Sequence, residues 1–331
     1  MKIRILGAGW YGCHIAITLM RAGHEVEIHE SKDIIFAGAS GSIPARLHLG
    51  FHYPRSAATR EACQKHSKEF MSHYKHLTRL VPLNIYAIAK GDSMVDFGQY
   101  VKTMSGEVDF IKVDEDDIGV YGLQNVEGAL LTGECHVVPS LARQYFEDNI
   151  GQKIIYDSRP ELVDDPAYDW TIDCTFCAND SAGVDRYEPC IVGLLRGPTD
   201  RAVTIMDGPF SSLYPWDEDN RLNSLSSAKW SPFSKTCKTW KEANEIIETI
   251  SPSMIGRHLD GMMDDIKAYY PDAATKYEFH GYRLSIRAMP KSGADSRLVE
   301  IIRVGDKAMR VRAGKIDAVI SAAKFIKEII Q

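Results

Sequence analysis

The sequence has no excess of positive charge, no long apolar run and no dense cysteine framework. Its 39 Lys and Arg stand against 45 Asp and Glu, for a net charge of −6. No basic stripe interleaved with aromatics occurs, which argues against a nucleic-acid or anionic-membrane partner. No uninterrupted apolar stretch approaches the roughly 18 residues of a membrane span. Met1-Lys2-Ile3-Arg4 and the apolar residues after it look superficially like a secretion signal. Gly7, Gly9 and Gly12 with polar Tyr11 and His14 interrupt any apolar segment there. The cysteines, seven in all, are odd in number and scattered, so a cytoplasmic, reducing setting fits better than a disulfide scaffold. Cys174 and Cys177 form the only CxxC, without a second pair to complete a zinc site; they are expected at the end of a buried strand. The 11 histidines show no HExxH spacing, and no metal site is expected. Low-complexity linkers and internal repeats are missing as well. What remains is an ordinary soluble composition, 44% hydrophobic and 25% charged over 331 residues, enough for one large core or two intertwined domains.

What is present begins at once. Ile3, Ile5 and Leu6 form a short apolar strand, followed by the turn Gly7-Ala8-Gly9-Trp10-Tyr11-Gly12. A helical pattern through Ile15, Ala16, Leu19 and Met20 stops at Ala22-Gly23-His24, and a second strand, Glu25 to His29, ends on Glu30. Gly7 permits the tight turn, Gly9 admits a pyrophosphate to the backbone, and Gly12 lets helix and strand pack closely. The helix N-terminus offers N–H groups to phosphate. Glu30 stands where a carboxylate can bond ribose hydroxyls, and it would repel the 2′-phosphate of NADP. These features define a dinucleotide site without separating NAD from FAD.

The segment Ala37 to Ser56 does not read as the next β–α repeat of a nicotinamide domain. It is small, polar and aromatic, and its Gly and Ser residues let the backbone approach a large planar ring. A helical stretch follows from Ala57 to about Arg79. Here the sequence resembles the FAD-dependent D-amino-acid oxidase superfamily, which includes glycine, sarcosine and L-2-hydroxyglutarate oxidases. The resemblance rests on the glycine turn with Glu30 and on Ser40, Leu47-His48-Leu49-Gly50, Tyr53, Pro54, Ser56 and Cys63. It continues through Trp170 to Thr175, Leu195 to Pro198, Leu213-Tyr214-Pro215, Gly281-Tyr282-Arg283 and Arg312-Ala313-Gly314-Lys315. Phe176 and Pro198 depart from the family's pattern. The resemblance implies an α/β fold: a Rossmann-like, glutathione-reductase-type FAD domain from residues 1–80, 140–195 and 275–331. Interleaved with it would be a mixed or antiparallel-sheet substrate domain from 81–139 and 196–274. Ser40 and Gly50 on one loop, and Gly314 and Lys315 before the last helix, would lie against the flavin.

Local patterns agree with such an organisation. Asn84 to Ala89, Val108 to Val113, Ala202 to Met206 and Leu222 to Ser227 read as strands. Ser140 to Asn149 reads as a helix capped by Ser140. Trp240 to Ile250 and Met254 to Tyr270 are further predicted helices. Lys315 to Ile330 is strongly periodic, with Ile316, Val319, Ile320, Ala323, Ile326 and Ile330 on one face.

A flavin would carry the redox step, leaving the protein to anchor the substrate and manage one proton. A small anionic substrate calls for a guanidinium fork. Arg283 is the first candidate, and Arg287 faces the same side of an extended strand; both are alternatively plain inter-strand or surface arginines. His48 and His52 are the candidates for proton transfer, with ordinary pKa values near neutrality, though His52 serves equally as packing. Tyr53 and Tyr214 are candidates to line the ring or the substrate pocket. Three functions remain open on these grounds. One is FAD-dependent removal of hydride from the CH–NH or CH–OH carbon of a small amino or hydroxy acid. The others are a flavin- or nucleotide-dependent isomerase or sugar-modifying enzyme, and an NAD-dependent dehydrogenase. Oligomeric state is not legible.

Overall fold

The computed structural model describes residues 1–179, 181–217, 219–291 and 299–331. Its strands form three sheets. In the first, six strands run in the order Glu300–Arg303, Ala308–Arg312, Trp170–Asp173, Lys2–Leu6, Glu25–His29 and Ile154–Ile155. Neighbours are parallel except the first two, which form an antiparallel edge. Ile3, Ile5, Ile28 and Ile172 are fully buried, as a parallel sheet covered on both faces requires. The helices Trp10–Arg21 and Val319–Ile330 contribute Ile15, Leu19, Val319 and Ile326 to the same core.

The second sheet has eight strands, ordered Glu278–Pro290, Val184–Arg196, Leu222–Ser227, Ser211–Asp217, Arg201–Met206, Leu83–Ala89, Val126–Thr132 and Phe110–Val113. Only Arg201–Met206 and Leu83–Ala89 pair in parallel. Alternation along these strands splits the sheet into two unlike faces. Ile85, Val203, Leu213, Leu225 and Ile191 meet Ile255, Met262 and Ile266 of the helix Pro252–Lys267. Asn84, Tyr86, Thr204, Ser212, Tyr214 and Ser224 lie at the intervening positions, in register with one another across the strands. That polar face is buried. Against it lies a third, small antiparallel sheet of Arg46–Leu47, Cys135–Val137 and Thr78–Leu80. Leu47 and Val137 join the core of the first sheet, whereas Arg46, one position away, bonds Thr204 of the second.

The 13-residue strands Val184–Arg196 and Glu278–Pro290 pair with each other in the eight-stranded sheet. Their partners lie about a hundred positions apart in the chain, so no local pattern could assign them. Several expectations need correction. The helix from Ala57 ends at Tyr74, and Thr78–Leu80 is a strand. Ser140 does not cap its helix; Pro139 opens it, and Ser140 Oγ donates to Asp217 at 3.0 Å. The last segment starts as a short 3-10 turn, Ile316–Ala318, before the α-helix Val319–Ile330. Cys174 and Cys177 are buried just past Asp173. No described helix is long and apolar enough to cross a membrane.

Candidate active site

The glycine turn has the geometry its spacing implies. Gly7 takes φ +94°, and a Cβ on Gly12 would stand 1.9 Å from the Gly7 carbonyl oxygen. A Cβ on Gly9 would meet Ser40 Oγ at 2.9 Å. Ser40, in the 3-10 turn Ala39–Gly41, accepts the Trp10 N–H at 3.0 Å. No N-cap side chain closes the first helix, so its positive end serves the turn's mouth. Glu30 is buried at the end of its strand. One carboxylate oxygen accepts the Ala8 N–H at 2.8 Å, and the other accepts from Ser31 Oγ and the Lys32 N–H. A glycine turn close against its strand, a helix whose N-cap glycine carries no side chain and a fixed carboxylate fit the pyrophosphate and ribose of a dinucleotide. Gly7, Gly9, Gly12, Ser40 and Glu30 would hold it.

The second cluster lies where the small sheet meets the polar face. Glu134, wholly buried, accepts the Leu49 N–H at 2.6 Å on one oxygen and the Tyr86 hydroxyl at 2.5 Å on the other. His48 Nδ1 is 3.3 Å from that hydroxyl and 3.7 Å from the Glu134 carboxylate. Burial pushes the Glu134 carboxyl up, against the pull of Tyr86, the Leu49 N–H and the charge of Lys315. His52 stacks near His48, with ring centroids 5.2 Å apart, and its Nδ1 has no hydrogen-bond partner. Burial first, then the charges of His48, Arg46 and Lys315, hold His52 well below the ordinary histidine range.

Arg46 forms the floor of this cluster. It is 9% exposed, donates from Nη1 to Thr204 Oγ1 at 3.2 Å, and lies 4.2 Å over the Tyr214 ring. It makes no ion pair with any described carboxylate. Asn84 donates to the Tyr214 hydroxyl, and His136, opposite Arg46 in the small sheet, lies 6.1 Å from the Tyr214 ring. Lys315 stands 4.2 Å over the Tyr53 ring, with Nζ 3.2 Å from Cys63 Sγ. Its carbonyl accepts the Tyr11 hydroxyl at 2.6 Å, which joins the last turn, with Gly314 just before it, to the first helix.

The structure thus brings His48, His52, Tyr53, Tyr214 and Lys315 into one region, but places the two nominated arginines elsewhere. Arg283 is exposed on an edge strand, with two strands between it and that of Tyr214, and its Nη1 reaches only the Tyr282 carbonyl. Arg287 is committed to buried Glu188 at 2.7 Å. Gly50 has a local reason: φ +114° and the Arg60 side chain against the space its Cβ would need. Arg46, Tyr86, Glu134 and His136 escaped the sequence reading. For Arg46 a signal existed, since it lies two residues before His48 and alternates with Leu47.

Relatives of known type agree with this geometry. The chain is 32% identical to "FAD-dependent monooxygenase FPY4" of Fusarium mangiferae, covering 99% of this chain and 91% of the relative. It is 24% identical to "FAD-dependent monooxygenase kojA" of Aspergillus flavus, over 100% of this chain and 86% of the relative. No protein-family model matches. Among solved structures, glycine oxidase from Geobacillus kaustophilus superposes with a TM-score of 0.74 at 13% identity, covering 99% and 94% of the two chains. L-amino acid deaminase from Proteus vulgaris gives 0.71 at 12%, covering 99% and 93%. Fold and site define a flavin enzyme. The chain belongs to the FAD-dependent oxidoreductases, in the family of the FAD-dependent monooxygenase FPY4, and it shares its fold with glycine oxidase. Its cofactor is FAD, which closes the choice that Glu30 left open and removes the NAD-dependent alternative.

Proposed function

We propose that the enzyme oxidises the CH–NH or CH–OH carbon of a small amino or hydroxy acid, with Arg46 anchoring the acid's carboxylate. The observation that carries this is a buried guanidinium without an ion pair to any described carboxylate, on the polar face beside two histidines. A desolvated guanidinium is costly unless an anion completes it, and its planar fork matches a carboxylate. Bound FAD supplies the acceptor of the hydride. Beside the anchor, His48, with Nδ1 3.7 Å from the Glu134 carboxylate, takes the substrate's proton. His52 stays neutral and walls the pocket. Tyr53 and Tyr214 bound the space with apolar ring faces. This reading replaces Arg283 and Arg287 by Arg46.

Anaerobic mixing with a panel of amino and hydroxy acids tests it: a true substrate bleaches the oxidised flavin band without any other reductant. Arg46→Met should retain FAD and raise KM for that acid about 100-fold, the loss typical of one buried charge-assisted contact. An unchanged KM sinks the anchor. The names of the sequence relatives favour a second reading, oxygen insertion by a monooxygenase. On that reading NADH or NADPH bleaches the flavin, no acid alone does, and labelled dioxygen enters the product.

A further inference from the structure

We propose that Glu134 and Tyr86 are positioning residues that hold His48 as its Nδ1–H tautomer, so that its basic atom is Nε2. The inference deepens the proton role given to His48 above. It follows from counting protons along three contacts. Glu134 is enclosed and receives the Leu49 N–H, a donor that cannot reverse, at 2.6 Å. Its second oxygen is 2.5 Å from Tyr86 Oη. An ionised carboxylate only accepts, so the single hydroxyl proton of Tyr86 belongs to that contact. Tyr86 Oη can then meet His48 Nδ1, at 3.3 Å, only as an acceptor. Nδ1 must carry hydrogen, and a neutral imidazole with Nδ1–H has its lone pair on Nε2.

The Tyr86 hydroxyl, the Leu49 N–H and the charge of Lys315 favour the ionised Glu134 that this count takes, against burial, which pushes its carboxyl up. Arg46 and Lys315 place positive charge about the cluster, while Tyr86, Tyr53 and His52 bring rings without formal charge. Protonation of His48 at Nε2 would create an imidazolium whose Nδ1–H points at a tyrosine–carboxylate pair. The device raises the proton affinity of one histidine and not of its neighbour, whose Nδ1 has no such partner.

The tautomer is measured without substrate. In the FAD-bound protein labelled with 15N-histidine, the His48 resonances are assigned by their loss in His48→Asn. Protonated, pyrrole-type Nδ1 and pyridine-type Nε2 shifts are expected, and the reverse assignment overturns the proposal. Tyr86→Phe should mix the tautomers, and an unchanged spectrum would also overturn it. Glu134→Gln should lower the pKa on the acid limb of kcat/KM by about one unit, tenfold in proton affinity, with Glu134→Asp restoring part of the shift. An unmoved limb means Glu134 is merely structural. If His48→Asn leaves turnover intact, the proton role fails while the tautomer result stands; if it abolishes turnover but the limb does not move, only the positioning role fails.

Discussion

At the scale of single residues, the glycines of the opening turn differ in what they tolerate. The atom facing a Cβ on Gly12 is a backbone carbonyl at 1.9 Å, fixed by the first strand. The atom facing one on Gly9 is a serine hydroxyl at 2.9 Å, which can rotate away. Gly12→Ala is therefore expected to cost about 3 kcal/mol or more through overpacking, read as a loss of folded yield and of thermal midpoint. Gly9→Ala should fold and bind FAD more weakly, because Ser40 leaves its bond to the Trp10 N–H; a flavin-fluorescence titration reads the change. Equal effects of the two would contradict this account. The arginines teach a related lesson. Arg283 and Arg46 look alike as letters in polar-aromatic contexts. Which of them faces the pocket depends on the sheet each strand joins, and that is a contact between residues distant in sequence.

At the scale of elements, the segment from Arg46 to Ser56 is the hinge of the site, and its shape is imposed from the helix Ala57–Tyr74. Arg60, in the first turn of that helix, donates from Nη1 to the carbonyls of Tyr53 and Pro54 at 3.2 and 2.9 Å. Its Nε and Nη2 grip Glu107 at 2.8 and 3.1 Å. One side chain thus clasps the loop carrying His52 and Tyr53 to the neighbouring layer. Arg60→Met keeps the aliphatic stem against Gly50 but takes the donor from the Pro54 carbonyl and the Glu107 carboxylate, while the Tyr53 carbonyl keeps the Ser56 N–H at 3.2 Å. The expected cost is about 2 kcal/mol, at the lower end because the Glu107 side chain remains 35% exposed. Hydrogen exchange should quicken across residues 50–56 more than in the strands of the first sheet. Uniform quickening would show that Arg60 acts on global stability alone. The loop's composition was legible as a ring-facing segment; its clasp was not, since Arg60 reads as one of several charges on a helix surface.

At the scale of the whole molecule, the parts of the site come from both large sheets and the small one between them. Arg46 bonds Thr204, Tyr86 bonds Glu134, and Arg55 meets Asp207 at 2.9 Å. A cofactor seated on the first sheet stabilises the folded state by mass action, about 2.7 kcal/mol at a free concentration 100 times Kd. Removing FAD should therefore lower the thermal midpoint by roughly 5 °C or more, and adding it back should restore the midpoint in a concentration-dependent way. A midpoint indifferent to FAD would mean that the flavin is not held by the folded turn.

The sequence by itself determined the feature that local geometry enforces: a strand, a glycine turn, a helix and a terminal acid, each set by its neighbours within thirty residues. That unit needs positive φ, missing Cβ atoms and helical periodicity, all of which are written in adjacent letters. From it and the loop after it came the resemblance to a flavin fold, and His48, His52 and Tyr53 stand on that loop. Only the tertiary structure decided that residues 184–196 and 278–290 pair in the second sheet, that Arg46 is buried without an ion pair to any described carboxylate, and that Glu134 stands behind His48. Strand partners and buried charges are chosen by non-local packing. A residue's neighbours across a sheet are fixed by register between segments that may lie a hundred positions apart, and no short-range pattern encodes them.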